Sequence, residues 1–176
     1  MEEFKKLEEL NKPDERNLYY RLMNMDTGES RRICVEDVYR AIETIILNEN
    51  VPEDVVSQFS VAKNLALYSW YSYPFHQISE MKAFSCVELA LKIKVGKEIR
   101  GLSTLIKKAL SLGLIKDNGF RHIKVNRDNP VQYSEMLPKL IPKLRNELAH
   151  GSTTLHTGSI MNLQICADLI NQLYEG

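Results

Sequence analysis

The sequence predicts an all-α protein, a bundle of four to six helices. Two observations carry this expectation. Apolar residues recur three and four positions apart through most of the chain, the period of a helix with one buried face. Between these stretches fall Pro, Gly and Asn/Asp-rich breaks, with little of the two-residue alternation that marks strands.

Residues 1–12 read as a short charged helix or a frayed start, ended by Pro13 and Asp14. Residues 14–33 are polar and Arg-rich around the turn signal Asp26-Thr27-Gly28, and read as a loop with room for a short hairpin. The first long helix is expected from Glu36 to about Asn48, with Val38, Ile42, Ile45 and Ile46 on its apolar side. Pro52, Glu53 and Asp54 suit a helix start, which extends to about Tyr71. After Pro74 a strong helix is expected over 79–95, striped by Phe84, Val87, Leu91 and Val95. Leu102–Leu112 is amphipathic and closed by Gly113. Residues 116–130 are expected to be loop, with an optional extended piece at Arg121–Val125. Tyr133–Ala149 is helical in pattern, but Pro138 and Pro142 predict a break or kink, each proline costing a helix interior about 3 kcal/mol. The last helix is expected to be capped by Ser159 or Thr157. Its stripe is Leu163, Cys166, Ala167, Ile170, Leu173 and Tyr174. The expected organisation is an N-terminal extension, 1–33, and one helical domain, 34–176.

Composition narrows the function classes. The 176 residues suffice for one domain with a core, and Lys+Arg and Asp+Glu both total 23. A zero formal charge argues against holding long nucleic acid by charge alone, so any such contact must be local or assembled. Cys34, Cys86 and Cys166 form no CxxC pair, and the histidines at 76, 122, 150 and 156 lack metal-ligand spacing. Buried thiols, a reducing cytoplasm, no metal and no cofactor are therefore expected. No apolar run approaches the roughly 20 residues of a membrane span.

Chemistry concentrates at Arg145-Asn146-Glu147-Leu148-Ala149-His150. On a helical wheel Leu137, Leu140, Ile141, Leu144 and Leu148 form one stripe, the core face. Asn146 and His150, four apart, share the opposite face, and Arg145 flanks the stripe. An arginine can hold a phosphate and stabilise charge on its oxygens. A histidine can move the proton of a 2′-hydroxyl or of a leaving 5′-oxygen. Asn146 can orient either partner.

Arg145-Asn146, three residues, then His150, just before the last helix, resembles the motif of the HEPN superfamily: Arg, four to six residues, His. The fuller segment LRNELAHG, and the preceding MKAFSCVELALKIKVG and TLIKKALSLGLI, are similar to the middle and late helices of such proteins. The resemblance covers about 36–175. It implies helical bundles paired about a two-fold axis, with the motifs of two chains forming one composite site. It also implies metal-independent endoribonuclease activity that leaves 2′,3′-cyclic phosphate and 5′-hydroxyl ends. Many members act as toxins or in phage defence, under an antitoxin or other regulatory protein. Others bind RNA or proteins without cutting. One subgroup carries a tyrosine two residues after the His, which a partner nucleotidyltransferase modifies. That position here is Ser152, which speaks against such control.

Other candidates each have a plainer alternative. Glu88 falls within the apolar stripe of its helix and is expected either to orient Arg145 or His150 or to pair structurally. Arg121, Lys124 and Arg127, with His122, form a small basic loop patch, a phosphate contact or a solvated face. Lys92, Lys94, Lys97, Arg100, Lys107 and Lys108 line a groove or simply face water. The run from Tyr68 to His76 is expected to pack rather than to stack bases, with His76 ordinary. His156 is a second histidine in the loop after the motif.

Overall fold

The structure, a computed structural model, describes residues 3–151 and 158–175. Among these are six α-helices and one two-stranded sheet. The helices are α1 (Val35–Glu43), α2 (Glu53–Tyr68), α3 (Phe75–Val95), α4 (Leu102–Ser111), α5 (Leu137–Ala149) and α6 (Ser159–Leu173). The strands are β1 (Arg21–Met23) and β2 (Ser30–Arg32), paired antiparallel. Ser152, His156 and Thr157 lie outside the described residues. No described helix is long and apolar enough to cross a membrane.

The bundle is built around α3. Its Ala83, Phe84, Cys86, Val87, Ala90 and Leu91 are all buried, and α2, α4, α5 and α6 pack against it. The α2–α3 pair is antiparallel: Ser79 Oγ donates to Ala62 O at 2.9 Å, and the Lys82 ammonium reaches Gln58 one turn earlier in α2. In contrast, α3 and α6 run in the same direction. His76 meets Ser159 near both starts, and the Tyr174 hydroxyl donates to Ala90 O at 3.0 Å near both ends. The predicted stripe of α6 is buried at Leu163, Cys166, Ala167, Ile170 and Leu173. Burial pushes the Cys86 thiol up to about 11 and that of Cys166 well above its usual range, so both behave as small core residues. Cys34 is half-buried at the start of α1.

Several boundaries differ from expectation. Of residues 1–12, those described (3–12) hold one 3-10 turn, Leu7–Glu9, in which no residue is buried. Helix α1 stops at Glu43, five residues short of Asn48, and side chains of α2 and α6 bind the segment that follows it, taking the Asn48 N–H that a longer helix would give to Thr44 O. The Lys63 ammonium donates to Ile45 O at 2.8 Å, and the Asn171 carboxamide donates to Ile46 O and accepts from Asn48 N. Helix α3 starts at Phe75, a turn earlier than expected, since Pro74 serves as its cap residue rather than as a breaker. The extended piece at Arg121–Val125 is absent. There the Arg121 N–H is taken by the Asp168 carboxylate at 3.1 Å instead of by a strand ladder.

The expected break in α5 is also absent. Pro138 lies in the first turn, where a missing N–H costs nothing, and Pro142 is inside an unbroken helix. What Pro142 gives up is the bond to the Pro138 carbonyl, one turn from the helix start, while Leu137 and Ile141 are buried and hold both sides of the site in place.

The N-terminal extension is fastened to the α2–α3 turn. Asn17, buried, donates its carboxamide to Ser69 O and Trp70 O at 2.9 and 3.0 Å. Asp14 accepts from Tyr73 N at 3.0 Å, and its carboxyl is held down at about 2: burial pushes it up, but the Arg16 side chain and two backbone N–H groups outweigh burial.

A local prediction arises at Gly119. A Cβ there would overlap the Gln172 carboxamide, and Gln172 is buried and accepts from Lys116 N at 2.8 Å. Gly119→Ala must rotate that carboxamide and break its bond. A loss of about 1 kcal/mol is expected, read from urea midpoints.

Candidate functional site

The segment 145–150 is the last turn of α5. Leu137 and Ile141 are buried, and Leu144 and Leu148 pack partly against the same core. Asn146 and His150 are exposed. The apolar spacing therefore decides which way the polar residues point: with the leucines inward, 146 and 150 have only solvent to face.

His150 is the C-cap residue of α5, and its N–H donates to Asn146 O at 3.0 Å. Gly151 follows at φ +83°, a left-handed conformation that favours glycine, and its N–H donates to Leu148 O. The chain thus leaves the helix directly after the histidine. Among the described residues the His150 ring has no side-chain hydrogen bond or ion pair. The nearby helix end offers a partial negative charge to any cation.

Arg145 is two-fifths exposed and lies between two groups. Its Nη1 donates to Asn146 Oδ1 at 3.2 Å, and its Nη2 stands 3.7 Å from Glu88 Oε2. The second contact is an ion pair too long for a hydrogen bond. The Glu88 carboxylate instead accepts a short bond from Lys92 Nζ at 2.6 Å, one turn along α3. The structure thus brings Glu88 to Arg145, and not to His150. Asn146 is drawn to Arg145 rather than to the imidazole. Most N–H groups of the guanidinium are left available, the condition for receiving a phosphate oxygen. Lys143 and Glu147, 3.8 Å apart and both exposed, are a surface pair of little energetic weight.

The basic loop does not join this constellation. Arg121 Nε donates to Asp168 Oδ1 at 2.8 Å, and Asp168, in α6, is buried. Arg121 therefore ties the loop to α6 while half its side chain stays exposed. Lys124 and Arg127 are exposed on the same loop. Among the described residues none of the three forms a hydrogen bond or ion pair with Arg145, Asn146 or His150. No group of three or more His, Cys, Asp or Glu side chains among the described residues is placed to hold a metal ion.

The aromatic run divides. Trp70 and Tyr73 are buried, whereas Tyr68 and Phe75 are exposed. His76 belongs to the packed part of the run. It is buried, bonds the buried Ser159 hydroxyl through Nδ1, and meets Tyr73 edge-on at 4.8 Å. It fastens the start of α6, the element that follows the motif, to the start of α3. Nothing local could reveal this, since the partners are 83 residues apart. Lys92 was legible: it lies four residues from Glu88, the spacing of a helical ion pair.

No protein-family model matches the chain, and no curated protein or solved structure matches it significantly.

Proposed function

We propose that the chain is a HEPN-like endoribonuclease of the cytoplasm, acting without a metal as a two-fold dimer in which the motifs of two chains form one composite site. One observation carries the reading. Arg145, Asn146 and His150 occupy the solvent side of a helix end whose other side is committed to the core, and the His150 ring has no described partner. A helix end of that kind is suited to completion by a second chain or by a substrate.

In the proposed reaction Arg145 holds the scissile phosphate, and its charge offsets that growing on the phosphoryl oxygens. His150 takes the proton of the 2′-hydroxyl, or delivers one to the leaving oxygen. The 2′-oxygen attacks phosphorus, the bond to the 5′-oxygen breaks, and that oxygen leaves as a hydroxyl. The fragments end in a 2′,3′-cyclic phosphate and a 5′-hydroxyl. Mass spectrometry of RNA fragments tests this chemistry. Cyclic-phosphate ends are expected, and 5′-phosphate ends would point to attack by water and sink it. A role as a toxin or in phage defence, under an antitoxin or other regulator, belongs to the same reading.

Glu88 is a positioning residue in this scheme, since it reaches the reaction only through Arg145. Glu88→Gln removes the charge and nearly keeps the shape. Because both partners are partly exposed, a stability change under about 1 kcal/mol is expected. A several-fold fall in kcat with little change in KM is expected for RNA cleavage. A change confined to thermal stability would assign Glu88 a purely structural role.

A second reading has its own observation. Arg145 is already engaged by Asn146 and Glu88, and no described group orients the imidazole as a base requires. A non-catalytic module that binds RNA or a protein partner fits that arrangement. Binding of RNA without cleavage would favour it.

A further inference from the structure

The ribbon of β1 and β2 has two unlike faces. Side chains alternate along a strand, so Tyr20, Leu22, Arg31 and Ile33 share one face, and Arg21, Met23, Ser30 and Arg32 share the other. The first face is turned to the body of the protein. The Tyr20 hydroxyl bonds that of Tyr73 at 2.9 Å, and Arg31 makes a two-pronged pair with Asp37 of α1 at 2.6 Å. The second face has no such duty. On it Arg21 and Arg32 are directly opposite each other across the strands.

Like charges placed directly opposite destabilise a strand pair. A carboxylate between them would relieve this, yet neither guanidinium has an ion pair among the described residues. Arg21 donates to Ser30 Oγ at 3.1 Å and to Ser30 O at 3.0 Å, both neutral, and Arg32 makes no side-chain bond there. None of the six ladder residues carries a carboxylate, and Glu29 lies outside the ladder, just before β2. Beside the pair, Met23 is 62% exposed, and Tyr19, just before the ribbon, is 82% exposed. Two uncompensated guanidiniums, one of them held on Ser30, with an exposed tyrosine two residues before the first, match the chemistry of single-stranded RNA: phosphates for the arginines, a base for the ring.

We propose that the outer face of this ribbon, through Arg21 and Arg32 with Tyr19 alongside, is an RNA-backbone contact separate from the motif on α5. The choice of RNA as the polyanion rests on the function proposed above. The geometry of the pair does not. The contact reconciles RNA binding with zero net charge, because the positive charge is local.

The test is fluorescence anisotropy with a labelled 2′-O-methyl oligoribonucleotide, which this chemistry cannot cleave, across a salt series. Arg21→Gln with Arg32→Gln is expected to weaken binding about tenfold and to lower the salt slope by about 1.4, roughly 0.7 per phosphate contact on a single strand. Arg21→Lys with Arg32→Lys is expected to restore most of both. Neither pair of changes should lower the thermal midpoint, since both sites are exposed, and cleavage of a dinucleotide should be unchanged. Wild-type protein that does not bind the oligonucleotide, or a glutamine variant with unchanged affinity and slope, overturns the proposal. Binding that depends on the ribbon in a protein that cuts no RNA upholds it, while the endoribonuclease reading fails alone.

Discussion

His150→Ala is expected to lower RNA cleavage by two to four orders of magnitude, the usual contribution of a positioned general acid or base. The fold should be untouched. His150 is exposed, its backbone N–H bond to Asn146 survives the change, and Ala is tolerated at a helix end. Circular dichroism and the thermal midpoint should therefore match wild type while single-turnover cleavage collapses. A variant that cuts at the wild-type rate would remove the histidine from the mechanism. If expression of the wild-type chain slows growth, the same substitution should relieve it.

The largest effect on stability is expected at Asp117. This carboxylate is buried, and it accepts from Tyr133 N at 2.9 Å, Ser134 N at 2.8 Å and the buried Ser134 hydroxyl. It closes the loop 117–134 just before α5. Asp117→Ala leaves buried donors without an acceptor, at a cost of about 3 kcal/mol or more. At roughly 2–4 °C per kcal/mol for a chain of this size, the thermal midpoint should fall by about 6–12 °C. Because the loop leads into α5, cleavage should fall with it.

Asp117 also gives the pH dependence a sign. Burial raises its pKa, but the Ser134 hydroxyl and the two backbone N–H groups outweigh burial and hold it below the ordinary carboxylate value. A depressed folded-state pKa means that this stabilisation is fully present above the unfolded value near 4. It is lost as pH falls through the folded value. Urea midpoints should therefore decline below about pH 4, and less steeply in Asp117→Asn, which has no charge to lose.

The helices were legible because burial of one face imposes a period. Phe84, Val87 and Leu91 are buried as the spacing demands, and so are Leu163, Cys166 and Ile170. The exposure of Asn146 and His150 followed from the same rule. The proximity of Glu88 to Arg145 was legible only as one option, since an acid inside an apolar stripe must find some partner. Polar bonds between distant segments were not legible. Lys63 and Asn171 bind the segment after α1, Asp168 claims Arg121, and Asn17 reaches the carbonyls of Ser69 and Trp70, all without a local pattern. The prolines misled for a related reason. Their local cost is fixed, but buried Leu137 and Ile141 on the same face of α5 offset it.

The most direct test of the account is incubation of purified protein with single-stranded RNA in excess EDTA, beside the same sequence carrying 2′-deoxyribose throughout. Cleavage of the RNA with the deoxy strand left intact is expected, because the proposed reaction uses the 2′-oxygen as the nucleophile, with His150 and Arg145 supplying the rest. RNA left whole in EDTA, or both strands cut alike, would contradict it.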